Sequence, residues 1–234
     1  SKMAAMGEMI ENIAHQWRQP LSVISTAATG AKLNKDFGTL SDENFYETMD
    51  IINNTAQHLS NTINDFRNFF NNEKETTTFD INIPFEKVLY LMGSKLKNRN
   101  IIIVKNTQEI YISGFINEFI QVLLNIINNT LDAFEENNIE NKFIFIDSYK
   151  ENNLLILKIK DSAGGIKEDI IDRIFEPYFT TKHKSQGTGI GLYMSMEIIK
   201  KHMNGNITIS NQEYTYNNIN CKGAEFKIEL PIND

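Results

Sequence analysis

Residues 123–134 read LLNIINNTLDAF and lie within a long apolar and polar pattern in the second half of the chain. Apolar residues recur around it at helical spacing, which predicts a helix with one buried face. That face comprises Ile120, Leu123, Leu124, Ile127, Leu131 and Phe134. Asn125 and Asn129 lie four residues apart, so their amides share the opposite face, and Asp132 extends it by one turn. A solvated surface and one wall of a binding site both fit this polar face.

Two glycine-rich segments follow the helix in sequence. Residues 161–166, DSAGGI, end a predicted strand in an acid and a glycine pair, and residues 187–192, GTGIGL, open a predicted helix. Glycines let backbone N–H groups approach phosphates closely, and a helix N-terminus adds a favourable partial charge. Each segment alone is also compatible with a simple turn.

The elements around these segments predict an α+β sandwich domain over residues 73–234. A polar run at 71–80, NNEKETTTFD, reads as the linker that leads into it. Hydrophobic periodicity predicts helices at 84–96, 116–136 and 189–203. Predicted strands lie at 100–106, in two runs within 141–161 that are joined by a polar turn, at 206–211 and at 223–231.

Residues 1–72 carry a different pattern, with apolar residues at alternating spacings of three and four. The first seam comprises Met3, Met6, Ile10, Ile13, Trp17, Pro20, Ile24, Ala27 and Ala31. The second comprises Phe45, Met49, Ile52, Ala56, Leu59, Ile63, Phe66 and Phe70. Gly38 breaks the first helix, and Ser41 is the expected N-cap of the second. Two helices cannot enclose a core, so this hairpin predicts a homodimer that forms a four-helix bundle.

Residues 13–22, IAHQWRQPLS, place a histidine near a proline inside the first helix. With Ile10 and Trp17 at heptad position a, His15 falls at position f, farthest from the seam. An exposed histidine is most often a plain surface residue. Pro20 has no N–H, so the carbonyl of Gln16 loses its helical partner and we expect a bend beside His15.

The asparagine stretch, DSAGGI, IFEPYFTTK (174–182) and GTGIGL, in this order, resemble four motifs of the ATP-binding domain shared by histidine kinases, DNA gyrase B, MutL and heat-shock chaperone ATPases. AHQWRQPLS resembles the phospho-acceptor box of histidine kinases, commonly written S-H-E-L-R-T-P-L. The whole chain is therefore similar to the catalytic core of a sensor histidine kinase.

This resemblance implies ATP and Mg²⁺ as ligands. It implies that Asn129 ligates Mg²⁺ with Asn125 beside it, and that Asp161 accepts a hydrogen bond from the adenine amino group. Residues 167–187 would form a lid over ATP, with Lys182 near the phosphates. The other nucleotide-binding positions that it implies are Asp132, Gly165, Phe179, Gly187, Thr188, Gly189, Gly191 and Leu192.

The same resemblance implies that His15 accepts the γ-phosphoryl group and passes it to an aspartate on a response-regulator receiver domain. Three positions depart from the family pattern. Gln16 replaces the acid taken as the base, and Gln19 replaces the residue assigned to removing phosphate from the partner, which leaves that activity open. Ala163 replaces a motif glycine, which is tolerable provided that residue 163 has no positive φ.

Composition argues against some classes of binding partner, and two rival functions stay open. The net charge of −7 disfavours broad binding to nucleic acid or anionic lipid. No apolar stretch approaches the roughly 20 residues of a membrane-spanning helix. The chain begins inside a helical pattern, so we expect an excised fragment. The resemblance to a sensor kinase core implies a cytoplasmic location, which is compatible with the cytoplasmic part of a membrane-bound sensor. An ATP-driven clamp without a phosphohistidine and a dimeric scaffold that binds ATP weakly are the two rival hypotheses.

Overall fold

The computed structural model of the chain describes the backbone of residues 2–70, 76–181 and 189–232, and the side chains within them except those of residues 2–16, 19, 58 and 61–70. The chain divides into a helical unit and an α/β unit, and each is described by itself. The predicted domain boundary at residues 72 and 73 lies outside the described residues and stays a prediction. Among the described residues, no helix combines the length and the apolar character that spanning a bilayer requires.

The helical unit is a hairpin of helix α1 (Lys2–Asp36) and helix α2 (Asp42–Phe70). Helix α1 contains Pro20 and is not interrupted there, and the bend predicted at Pro20 stays a prediction. Gly38 adopts a φ of 71°, and the N–H groups of Gly38 and Thr39 donate to the carbonyls of Lys35 and Asn34 over 3.1 and 2.8 Å. This is a Schellman cap, which satisfies the last carbonyls of α1 and turns the chain.

Helix α2 begins at the predicted N-cap. The N–H of Asn44 donates to Oγ of Ser41 over 3.1 Å, which satisfies one of the free donors of the first turn. Asp42 and Glu43 place negative charge in the same turn, where the helix dipole favours it. The prediction of a helix break followed by a capped second helix is confirmed.

The covered faces of the hairpin match the predicted seams in part. On α1 the half-buried residues are the predicted Trp17, Pro20, Ile24, Ala27 and Ala31, together with Gly30. On α2 the covered side chains are Thr48, Ile52, Thr55 and Leu59. The predicted seam residues Phe45, Met49 and Ala56 are exposed in the single chain. Within residues 42–57 and residue 59 of α2, helix α1 therefore covers one side of the apolar stripe.

The α/β unit is built around a five-stranded sheet with the order β2-β4-β5-β7-β6. Strands β2 and β4 are parallel, and all other neighbours are antiparallel. A separate pair is formed by β1 and β3, which are antiparallel. The strands are β1 (Thr77–Asp80), β2 (Ile102–Thr107), β3 (Tyr111–Gly114), β4 (Phe143–Glu151), β5 (Leu154–Asp161), β6 (Asn206–Tyr216) and β7 (Ile219–Pro231).

Four helices complete the α/β unit. They are α3 (Asn82–Asn98), α4 (Ile116–Glu136), the short α5 (Glu168–Ile171) and α6 (Gly191–Glu197), which continues into a π-helical turn (Ile198–His202). The core is formed by fully buried apolar side chains, among them Phe85, Phe119, Leu123, Ile126, Ile144 and Leu155. Helix α4 contributes three of these six, Phe119, Leu123 and Ile126, because its apolar face is wide.

The predicted helices and most predicted strands are confirmed. Helix α4 has the predicted bounds of 116–136. The polar turn between β4 and β5 consists of Asn152 and Asn153, whose φ values of 46° and 62° fit a type I′ hairpin turn. The linker prediction is wrong at its C-terminal end, because Thr77–Asp80 form β1 and pair with β3. Strand β3 was not predicted, because four residues are too few to show an alternation of apolar and polar side chains.

Candidate functional site

The carboxylate of Asp161, at the end of β5, is buried and fully oriented by hydrogen bonds. The N–H groups of Ala163 and Ala224 donate to Oδ1 over 2.9 and 3.0 Å. The hydroxyl of Thr130, on α4, donates to Oδ2 over 3.2 Å. Two backbone donors occupy Oδ1, so Oδ2 is the oxygen that retains capacity to accept a further hydrogen bond. The arrangement suits recognition of a donor such as an amino group.

Burial raises the pKa of the Asp161 carboxyl above its usual value of 3.8. The hydrogen bonds from Ala163, Ala224 and Thr130 act in the opposite direction, because they stabilise the ionised form. A buried carboxylate costs free energy in the folded state unless it is compensated. Such a group without a core-packing role is typical of a binding site.

The segment that follows Asp161 depends on glycine. Gly164 and Gly165 have φ values of 95° and 79°, which favour glycine. At Gly165 a Cβ would lie 2.7 Å from Oδ1 of Asn211. Ala163 has no positive φ, so the replacement of a motif glycine at this position causes no backbone strain. Asn137, just after α4, donates through Nδ2 to the carbonyl of Ala163 over 2.6 Å.

Asn125 links α4 to the start of α6. Its Nδ2 donates to the carbonyl of Gly191 over 3.0 Å and to Oγ of Ser195 over 3.2 Å. A Cβ at Gly191 would be only 3.5 Å from Cγ of Asn125, so the second glycine segment packs directly on the asparagine face. Leu192 is half-buried in the first turn of α6. Two of the motifs predicted from sequence are thus brought together.

Asn129 and Asp132 lie on α4 as predicted and are half-buried. Asn129 is one turn from Asn125, on the same face of the helix. Its amide oxygen and the carboxylate of Asp132 are ligands of the kind that Mg²⁺ prefers. The donor set of this face therefore fits a magnesium ion that takes most of its ligands from phosphates and water.

The described part of the predicted lid, residues 167–181, makes a tight main-chain contact from Tyr178 to Gly189. The N–H of Tyr178 donates to the carbonyl of Gly189 over 2.8 Å, and both residues have positive φ, of 67° and 63°. A Cβ at Gly189 would lie 2.4 Å from the carbonyl carbon of Tyr178, so only glycine fits. The ring of Phe179 lies 4.6 Å from the guanidinium of Arg173. Lys182, Gly187 and Thr188 lie outside the described residues.

His15, Gln16 and Gln19 all lie on α1. Their side chains are outside the described residues, so their roles stay predictions.

Sequence reasoning missed four residues that hold this site: Thr130, Asn137, Asn211 and Tyr214. Thr130 directly follows Asn129, and this position within the asparagine motif was the one sequence feature that could have identified it as a site residue. Asn211 and Tyr214 reach the segment 161–166 from 45 or more residues away in sequence, so no local pattern reveals them.

Two family models match the chain. Residues 5–75 match the His Kinase A (phospho-acceptor) domain, and residues 115–234 match the histidine kinase-, DNA gyrase B- and HSP90-like ATPase. Together they cover the stretches that carried the resemblance in the sequence.

Individual proteins agree with the family models. The two-component sensor PprA of Pseudomonas aeruginosa is 28% identical over 238 residues, which cover 99% of this chain and 25% of PprA. The nucleotide-free catalytic domain of histidine kinase ThkA is 30% identical with a TM-score of 0.57, covering 68% of this chain and 96% of that domain.

The crystal structure of ThkA in complex with response regulator TrrA is similar over 99% of this chain and 63% of ThkA, with a TM-score of 0.70. The identity of 24% makes this a likeness of fold. The chain spans between 25% and 50% of the length of the first curated relatives it matches.

Proposed function

The chain belongs to the histidine kinase-, DNA gyrase B- and HSP90-like ATPase family and is the catalytic core of a sensor histidine kinase, and from this premise we propose that it phosphorylates its own His15 from ATP. One observation carries the nucleotide half of the proposal. The buried acceptor Asp161 lies three residues before Gly164, the first of two successive glycines with positive φ. An oriented buried carboxylate with a raised pKa is typical of a functional site, and its free acceptor capacity suits a base amino group.

We place the adenine of ATP against Asp161. The adenine amino group would donate to Oδ2, the oxygen that carries only the Thr130 hydroxyl. Glycine at positions 164 and 165 lets the segment that follows Asp161 pack closely against Asn137 and Asn211, which fixes the backbone beside the proposed base.

The triphosphate lies toward α6 in this proposal. Gly189 and Gly191 flank the start of α6, and Asn125 holds the carbonyl of Gly191. Asn129 would ligate Mg²⁺ through its amide oxygen, and the bound ion neutralises charge on the phosphates. Asp132, Phe179, Lys182, Gly187, Thr188 and Leu192 would complete the nucleotide site.

His15 is the proposed acceptor, since it lies within the part of the chain that matches the phospho-acceptor domain. A neutral imidazole nitrogen attacks the γ-phosphorus, a P–N bond forms, and the bond from phosphorus to the bridging oxygen breaks to release ADP. The imidazole proton leaves after the attack, to water or to Glu11, which lies four residues earlier on the same helical stripe. Gln16 cannot accept that proton, but its amide oxygen can accept a hydrogen bond that fixes the tautomer of His15.

The proposed partner is the receiver domain of a response regulator, whose aspartate takes the phosphoryl group from His15. ThkA, which shares the fold, was crystallised with the response regulator TrrA. We further propose that the core is a cytoplasmic homodimer, in which a second hairpin covers Phe45, Met49 and Ala56 on α2.

Incubation with γ-labelled ATP and Mg²⁺ tests the function. Acid-labile, base-stable label on the wild-type protein is expected, and His15→Gln should abolish it while ATP affinity stays within about twofold, because His15 lies in the helical unit. His58→Gln, a histidine of α2, is the matched control and should keep the label. Release of free phosphate without protein label would indicate a clamp, and neither product would indicate a scaffold.

A further inference from the structure

The hairpin of β6 and β7 extends beyond the end of β5, the strand with which β7 pairs. Strand β7 pairs with β5 only as far as Lys160 and Glu225, where β5 reaches its end at Asp161. Strands β6 and β7 continue to pair with each other as far as Tyr216 and Ile219. Residues 211–224, which we name the overhanging hairpin, therefore lie past the end of β5.

The overhanging hairpin holds the segment 161–166 through main-chain and side-chain hydrogen bonds. Asn211 accepts from the N–H of Ile166 over 2.8 Å and donates to its carbonyl over 2.6 Å. The N–H of Gly164 donates to the carbonyl of Lys222 over 2.8 Å. The N–H of Ala224 donates to the carboxylate of Asp161, as described above. Each end of the segment is thus attached to the hairpin.

Tyr214 adds a contact to Asp161 itself. Its hydroxyl donates to the main-chain carbonyl of Asp161 over 2.8 Å. A Cβ at Gly223 would lie 1.7 Å from the same carbonyl oxygen, so the hairpin backbone covers that side of the peptide. Burial raises the pKa of Tyr214 above its usual value of 10.0, which keeps the hydroxyl protonated as a donor.

The ring of Tyr214 is itself fixed. It lies perpendicular to the ring of Phe145 at a centroid distance of 5.3 Å, and Nζ of Lys160 lies 4.0 Å above it. Phe143, Phe145 and Cys221 form a buried cluster, and Tyr214 packs against it. These contacts hold the ring of Tyr214 in the position from which its hydroxyl donates to the carbonyl of Asp161.

We infer that Tyr214 is a positioning residue that sets nucleobase recognition by orienting Asp161. The inference rests on the proposed binding of adenine to Asp161. The carboxylate and the main-chain carbonyl belong to one residue, so the Tyr214 hydrogen bond fixes the main chain from which the carboxylate projects toward its own hydrogen-bond donors. Loss of the hydroxyl would allow the peptide to rotate and would misalign Oδ2 with the adenine amino group.

Tyr214→Phe tests this, because it removes the hydroxyl and keeps the ring. We expect the Kd for ATP with Mg²⁺, measured by calorimetry, to rise about three- to tenfold, the loss typical of one hydrogen bond. Inosine triphosphate carries a keto oxygen where ATP has the amino group, so its Kd should change less. The preference for ATP over inosine triphosphate should therefore fall, which a loss of general stability would not cause.

Tyr216→Phe is the matched control. Tyr216 packs against Phe143 and Phe145 from the same hairpin, and among the described residues its hydroxyl makes no hydrogen bond to the segment 161–166. We expect its nucleotide preference to equal that of the wild type. Equal preferences in the two variants, or equal losses for both nucleotides in Tyr214→Phe, would overturn the role of Tyr214. Failure of the wild type to bind ATP would instead overturn the proposed function and this inference together.

Discussion

Asp161, the proposed acceptor for the adenine amino group, is a buried carboxyl whose ionisation costs the folded state stability. Its carboxylate is 4% exposed and is held by donors from three parts of the chain: α4, β7 and the segment after β5. Because its pKa is raised in the folded state, folding favours the protonated form. As the pH rises above 3.8, its usual value, the folded state therefore loses stability relative to the unfolded chain.

We predict that Asp161→Asn raises the thermal unfolding temperature at pH 7 and weakens ATP binding at least tenfold. The asparagine oxygen can accept from Ala163 and Ala224, and its amide can donate to Thr130, so the hydrogen bonds survive without the buried charge. The amide would face the adenine amino group donor to donor. Scanning calorimetry and titration with ATP measure the two effects.

The stability gain of Asp161→Asn should shrink as the pH falls toward 3.8, because the raised pKa of the wild-type carboxyl makes its neutral form increasingly populated in the folded state. A gain that is the same at pH 7 and at pH 4 would show that the ionised carboxylate does not cost stability. An unchanged ATP affinity would contradict the role of Asp161 in base recognition.

Among the secondary structure elements, those with a regular local pattern of apolar residues were predicted from the sequence. Helix α4 has apolar residues at helical spacing throughout, and its bounds were predicted to the residue. The glycine segments were found because glycine has a special backbone role. Strands β1 and β3 were missed because they are short. Tyr214 and Asn211 were missed because their contacts span 53 and 45 residues, a separation at which sequence pattern carries no signal.

The contact between Tyr178 and Gly189 supports a prediction about the main chain beside the predicted lid. Gly189→Ala should destabilise the fold by about 1–2 kcal/mol, since an L-residue is strained in a left-handed conformation, and should also lower the rate of autophosphorylation. The added methyl group would meet the main chain of Tyr178, so the start of α6 must shift. Denaturant unfolding and labelling by γ-labelled ATP measure the two losses.

Gly93→Ala is the control for this substitution. Gly93 lies in α3, and a Cβ there would meet nothing within 4 Å. The change should be neutral or stabilise the protein by about 0.5–1 kcal/mol, because glycine weakens a helix interior. If both variants behave alike, the contact between Tyr178 and Gly189 does not constrain the lid.

At the scale of the whole molecule, the helical unit leaves apolar side chains on its surface. Phe45 is 42% exposed and Met49 36% exposed, and both belong to the seam predicted from the heptad pattern. Leu21 and Leu33 of α1 are 52% and 50% exposed. Soluble monomers rarely leave such residues clustered on one unit, and a second hairpin would bury them as a four-helix bundle does.

We predict that the chain is a dimer at micromolar concentration, with a mass by light scattering of twice the 26.9 kDa of one chain. Replacing Met49 and Phe45 together by glutamate should convert it to a monomer, because two charges per chain would be buried at the seam. Tyr90→Glu is the matched control, since Tyr90 is 87% exposed on α3 and belongs to neither seam. A monomeric wild type, or a double variant that stays dimeric, would contradict the bundle. Because the match to the ATPase family lies in the α/β unit, the monomeric variant should keep its ATP affinity, which separates loss of the bundle from loss of the nucleotide site.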